Sequence, residues 1–214
     1  MPGVCIDPGH QASADLRLEP IGPNTELLKP ACAKGTTGST SGVPEHEVVL
    51  KIALEIERVL SKAGLSVLLT RRHPHESISN RERAEFANRS GAELCVKLHC
   101  NGVRDRLRWL GRFKRGAETL VPARGAAVAD IHDASLTAAR VLHPHVLRAT
   151  GFPDRGITER SDLSGFNWSA IPVVLLELGY LTHPLEEELL ISAQFQTRLA
   201  EGISAGIIEA LHAV

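Results

Sequence analysis

The stretch Val4-Cys5-Ile6-Asp7-Pro8-Gly9-His10 decides the fold. Its apolar opening reads as a buried strand. Asp7, Pro8 and Gly9 are turn formers, so the strand stops there and His10 stands at its carboxyl edge. In open α/β sheets that edge is where ligands bind. Two further apolar runs behave the same way: Leu94 to Leu98 leads into His99, and Pro172 to Leu176 leads into Glu177. A single histidine at a strand end is usually a hydrogen-bonded structural residue. Three strands that each deliver a His or Glu at the exit predict a site assembled along the top of one sheet.

Working outward, Gln11 to Gly42 is rich in Gly, Pro, Ser and Thr without sustained periodicity, and its length marks it as a mobile segment or a functional rim. A helix opens at Pro44, with Glu45 and Glu47 suited to its positive end, and carries Val49, Ile52, Ala53, Ile56, Val59 and Leu60 to a stop at Gly64. Leu65 to Thr70 reads as a strand, and Ser77 to Asn80 caps a shorter helix ending near Gly91. Ala117 to Val121 is a further strand. Ala126 to Thr150 is largely helical, interrupted by His143-Pro144-His145, which reads as a surface turn. Asp154 to Trp168 is a polar loop, a short acidic helix follows Pro184, and a last amphipathic helix carries Phe195, Leu199, Ile203 and Ile207. The predicted fold is a single α/β domain over residues 1–214, a twisted, mostly parallel sheet with helices on both faces.

A chain of 214 residues supports one substantial core, and a net charge of −1 gives no bulk attraction for nucleic acid. The basic stretch Arg104 to Arg115 reads as a solvated excursion beside the site. No signal peptide is expected at the start, and no apolar run is long enough to span a bilayer. Cysteines 5, 32, 95 and 100 have no paired spacing and read as free thiols, with a bridge from Cys32 as the alternative.

Catalytic zinc takes imidazole nitrogens and carboxylate oxygens and keeps one position for water. His10 and His99 supply two ligands, and the third should be a carboxylate from the first turn of the Pro44 helix. Glu45 and Glu47 lie about 200° apart around that helix, so only one faces the site. Glu45 stands four residues before Val49, on the buried side, and is the expected ligand. Glu177, at the end of so apolar a strand, should be desolvated and raised toward the range useful for proton transfer. His46 to Leu50 lacks the second histidine of a zincin helix, and no Walker loop or dinucleotide fingerprint is present.

These residues fall in stretches with a family pattern: Ile6 to His10, Gly42 to Leu50, Ile78 to Ala84, Leu98 to Gly102, Asp154 to Ile157, Ser161 to Trp168, and Val174 to Pro184. In that order they resemble the zinc-dependent N-acetylmuramoyl-L-alanine amidases of the bacterial cell wall, the type 3 group. The resemblance implies zinc held by His10, Glu45 and His99, catalysis by Glu177, and hydrolysis of the amide between the lactyl group of N-acetylmuramic acid and L-alanine of the stem peptide. It also implies action on peptidoglycan outside the cytoplasm, as a monomer, with Asn167 and Trp168 as substrate contacts. Cys100, where Ala is usual, and His183, where Asn is common, depart from the pattern. Two other classes remain open at this point: a related zinc peptidase cutting elsewhere in the stem peptide, and a non-catalytic wall-binding module with a structural metal.

Overall fold

A computed structural model describes residues 3–103, 111–125 and 129–214. Strand β1 (Gly3–Pro8) lies inside a six-stranded sheet with β4 (Ser66–Leu69), β5 (Leu94–Asn101), β6 (Ala117–Pro122), β7 (Asp154–Arg160) and β8 (Val173–Tyr180), ordered β4-β1-β5-β8-β6-β7. Every neighbouring pair is parallel except β6 with β8. The expected α/β architecture is therefore present, with two strands, β6 and β7, running opposite to the other four.

Period-two alternation divides the sheet into unlike faces. Val4, Ile6, Leu94, Val96, Leu98, Val174, Leu176 and Leu178 pack into one layer under α1 (Glu45–Lys62), α3 (Ala129–Thr150) and α6 (Ala193–Leu211). Cys5, Cys95, Val173 and Leu175 face the other way, against Ala87 of α2 (Asn80–Arg89) and Phe166 of the one-turn α4 (Ser164–Asn167). All four cysteines are buried free thiols. Among the described residues no helix is long and apolar enough to cross a membrane.

Helix α1 starts behind Pro44 and its chain reverses at Gly64, whose φ of +84° suits glycine. Helix α2 begins in a capping box, Ser79 accepting from the Glu82 N–H while the Glu82 side chain accepts from the Ser79 N–H.

Gln11 to Gly42 takes the second of its two expected forms, a rim beside His10: it contains an antiparallel hairpin, β2 (Asp15–Pro20) with β3 (Leu28–Cys32), and the Ala33 carbonyl after β3 meets the His10 ring. Three expectations need correction. Asp154 to Trp168 is largely ordered as β7 and α4. Helix α3 runs unbroken through Pro144. A proline inside a helix removes one hydrogen bond, but the face formed by Ala138, Ala139, Leu142, Val146 and Ala149 is buried on both sides of it. His143 is not a surface turn either; it is buried, bonded to Thr119 Oγ1 (2.9 Å) and Asp154 Oδ1 (2.8 Å). Finally, β5 and β8 continue past His99 and Glu177, so these residues are within strands, not at their ends. Residues 104–110 of the basic stretch lie outside the described residues, and Arg112 to Arg115 are exposed.

The segment before α1 is held by α5 (Pro184–Leu190). One carboxylate, that of Glu187, accepts from the Thr40 and Ser41 N–H groups and from the Ser39 and Ser41 hydroxyls.

Candidate metal centre

His10 follows β1 with φ +57°, a conformation few non-glycine residues adopt. Several contacts hold it there. Its ring Nδ1 lies 2.8 Å from the Ala33 carbonyl just after β3, and its own carbonyl accepts from Arg83 Nη2 at 2.9 Å. Gly9 must be glycine, because the His99 imidazole occupies the space a Cβ would need. Gly35 is constrained likewise: a Cβ there would sit 2.8 Å from Glu45 Oε2 and 2.9 Å from the His10 ring.

Three side chains converge at the carboxyl edge of the sheet. His10 Nε2 is 3.4 Å from Glu45 Oε2, His99 Nδ1 is 3.1 Å from Glu45 Oε1, and the rings meet edge to face. One donor atom from each of His10, Glu45 and His99 lies within 4.8 Å of the others. Glu45 is further fixed by N–H groups of Thr36 and Cys100, both at 2.9 Å. Glu47 points to solvent. Burial disfavours the Glu45 anion, but His10 and His99 outweigh it and hold the carboxyl down to about 2. Burial likewise works against protonation of His10, and Glu45 overcomes it, raising the ring to about 9; burial pushes His99 down. Two imidazole nitrogens and one carboxylate, with His10 Nδ1 engaged by a backbone carbonyl, match the donor chemistry of a metal centre that keeps an open position. Cys100 points away into the apolar layer.

Glu177 is the register partner of His99 on β5 and of Glu118 on β6. Its Oε2 is buried and has no hydrogen-bond partner among the described residues. Burial first, and the nearby Glu45 charge second, raise the carboxyl to about 8. Beside the centre is a cavity of about 220 Å³ bounded by His10, His99, Lys29, Asn80, Asp162 and Phe166, among others. Asn167 and Trp168 do not line it; they border a separate recess with Pro23 and Ile131. Trp168 donates from Nε1 to the Pro20 carbonyl and carries Arg81 on its ring, and Asn167 donates to the Ser161 carbonyl.

A buried charge cluster beneath His10 escaped the sequence reading. Asp7, taken there as a turn former, ends β1 paired with both Arg83 and Lys97. Arg83 lies in the Ile78 to Ala84 stretch, but nothing in the sequence said where it would reach. Arg71, just beyond β4, donates to the carbonyls of Pro8 (2.9 Å), Gly9 (3.0 Å) and His46 (2.8 Å).

The carboxyl edge of a mostly parallel sheet thus gathers a His–Glu–His group able to hold a metal ion next to a glutamate with a buried carboxyl oxygen, the arrangement of a hydrolytic centre on an α/β fold. The chain belongs to the N-acetylmuramoyl-L-alanine amidase family, which it matches over residues 4–209. An N-acetylmuramoyl-L-alanine amidase of Mycobacterium tuberculosis is 28% identical over 211 residues, 95% of this chain and 84% of that protein. The crystal structure of the N-acetylmuramoyl-L-alanine amidase from Clostridium difficile 630 is 30% identical with a TM-score of 0.78, covering 99% of this chain and 97% of that one. For the fold alone, the N-acetylmuramyl-L-alanine amidase of Mycobacterium smegmatis superposes with a TM-score of 0.88 at 24% identity, over 100% of this chain and 98% of that one.

Proposed function

We propose that this protein is a zinc-dependent amidase that cleaves the bond between the lactyl group of N-acetylmuramic acid and L-alanine of the stem peptide in peptidoglycan. The carrying observation is the convergence of His10, Glu45 and His99 with the buried Oε2 of Glu177 one strand away. Family membership supports the bond cleaved. Three converging donors among the described residues favour a catalytic centre over a closed structural site, which takes four.

His10, Glu45 and His99 would hold the metal, with the Ala33 carbonyl orienting the His10 ring and two backbone N–H groups orienting Glu45. Zinc in this centre supplies Lewis acidity, which polarises a carbonyl and acidifies water. Glu177 takes a proton from the attacking water at Oε2 and delivers it to the amide nitrogen as the C–N bond breaks. A carboxyl raised to about 8 suits a group that must both accept and release a proton near neutral pH. The cavity bounded by Lys29, Asn80 and Asp162 receives the substrate beside the centre. Trp168 acts from behind, tying the end of β2 to the α4 turn that forms the cavity wall, while Asn167 ties that turn to the Ser161 carbonyl. The protein acts on the cell wall, outside the cytoplasm, as a monomer.

Digestion of purified peptidoglycan followed by mass spectrometry tests this reading. Release of intact stem peptides with a free L-alanine amino terminus, from intact glycan, is expected, together with stoichiometric zinc. Cleavage inside the stem peptide would assign the protein to the peptidases instead.

A further inference from the structure

We propose that Arg71 is a positioning residue that fixes the spacing between His10 and Glu45, and so sets the affinity and coordination of the metal centre. This rests on the metal reading above. Arg71 is 1% exposed, and its guanidinium therefore sits where a cation is costly without compensation. Arg83 beside it has the Asp7 carboxylate as counter-charge. Arg71 has no carboxylate within ion-pair distance among the described residues; the acceptors the structure gives it are the backbone carbonyls of Pro8, Gly9, His46 and, more weakly at 3.5 Å, His73.

Those carbonyls locate its role. Gly9 immediately precedes His10, and His46 immediately follows Glu45. A single nitrogen, Nη2, donates to both, at 3.0 and 2.8 Å. One planar, rigid group thus joins the end of β1 to the first turn of α1, two segments far apart in sequence that must meet to within one metal's reach. His10 is held in a left-handed backbone conformation that its own preferences oppose, so the segment has a reason to relax if the tie is cut. Lysine could keep the charge, but its compact ammonium lacks the fixed fork that reaches Pro8, Gly9 and His46 together.

The test compares Arg71→Lys with Ile203→Ala, which opens a cavity between sheet and α6 remote from the centre. Zinc affinity is measured by chelator competition, the visible spectrum is recorded with Co²⁺ in place of zinc, and melting of the metal-free proteins is followed. Arg71→Lys should weaken zinc binding by about 10–100-fold, the usual effect of losing a group that orients ligands, and alter the Co²⁺ spectrum. Ile203→Ala should lower the melting temperature yet leave affinity and spectrum unchanged. Arg71→Gln replaces Arg71→Lys if the latter does not fold. Wild-type affinity and spectrum in a folded Arg71 variant would overturn the positioning role alone. Absence of metal binding by the wild-type protein would overturn the metal reading and this proposal with it.

Discussion

The two faces of the sheet are cut from the same strands and differ by a one-residue step. Under α1, α3 and α6 the strands present Val4, Ile6, Leu94, Val96, Leu98, Val174 and Leu176. On the other face the same strands present Asp7, Lys97, His99 and Glu177, mixed with Cys5, Cys95 and Leu175. The apolar face is covered by three long helices, the chemical face by a short helix, a single helical turn and a cavity. Apolar packing is concentrated on one side and the reactive side chains on the other, so each can be perturbed separately.

The largest separation should come from Glu177→Gln. This substitution keeps shape but removes the basic oxygen, and turnover on peptidoglycan should fall by roughly 10²–10⁴, the contribution of a general acid–base group. Zinc content should be unchanged. Near wild-type turnover with zinc bound would remove Glu177 from the mechanism.

Asp7→Asn tests whether the chemical face also bears a structural load. It leaves Arg83 and Lys97 buried without their counter-charge, at a cost of about 3–5 kcal/mol in denaturant unfolding. Burial opposes the Asp7 anion, but Lys97 and Arg83 prevail and hold its carboxyl far below the ordinary range. A depressed carboxyl stabilises the fold above its ordinary titration range, and this stabilisation drains away as pH falls below about 4. The Asn variant should therefore lose less stability than wild type on acidification; equal acid sensitivity would show that other carboxylates dominate.

Leu142→Ala, on the apolar side, should cost about 2–5 kcal/mol with zinc affinity intact. Coupled loss of metal would show that the faces are not independent. The smallest effect belongs to Glu47→Gln: exposed on the first turn of α1, Glu47 should contribute at most about 0.3–1 kcal/mol through the helix dipole. Glu45→Gln should weaken metal binding severely in the same titration, and the reverse ranking would reassign the ligand.

The legible parts of this molecule were those with a local signal. Apolar runs exposed the strands, helical spacing separated Glu45 from Glu47, and the shared position at the exits of apolar runs put His10, His99 and Glu177 along one edge. What stayed illegible depended on tertiary context. β5 and β8 outlast their apolar runs because a strand bordering a cavity can carry His99 and Glu177 without breaking its ladder. The β2–β3 hairpin forms a separate two-stranded ribbon with Pro20 and Pro30 in its strands and Leu16 and Leu18 in solvent, so neither composition nor burial announced it. Helix α3 passes through Pro144 because packing on α6 outweighs the lost hydrogen bond. Arg71 was invisible for a different reason: its partners are backbone carbonyls, which have no residue type to read.

The Glu187 carboxylate has a consequence for how the protein breathes. Thr40 and Ser41 belong to a polar surface loop, the kind whose amides ordinarily trade hydrogen with solvent almost at once. Both of those amides end on a carboxylate carried by α5, and the loop leads directly into the Glu45 end of α1. Their exchange is therefore tied to the opening of α5 and not to the loop's own fluctuations, making α5 and the approach to Glu45 one cooperative unit.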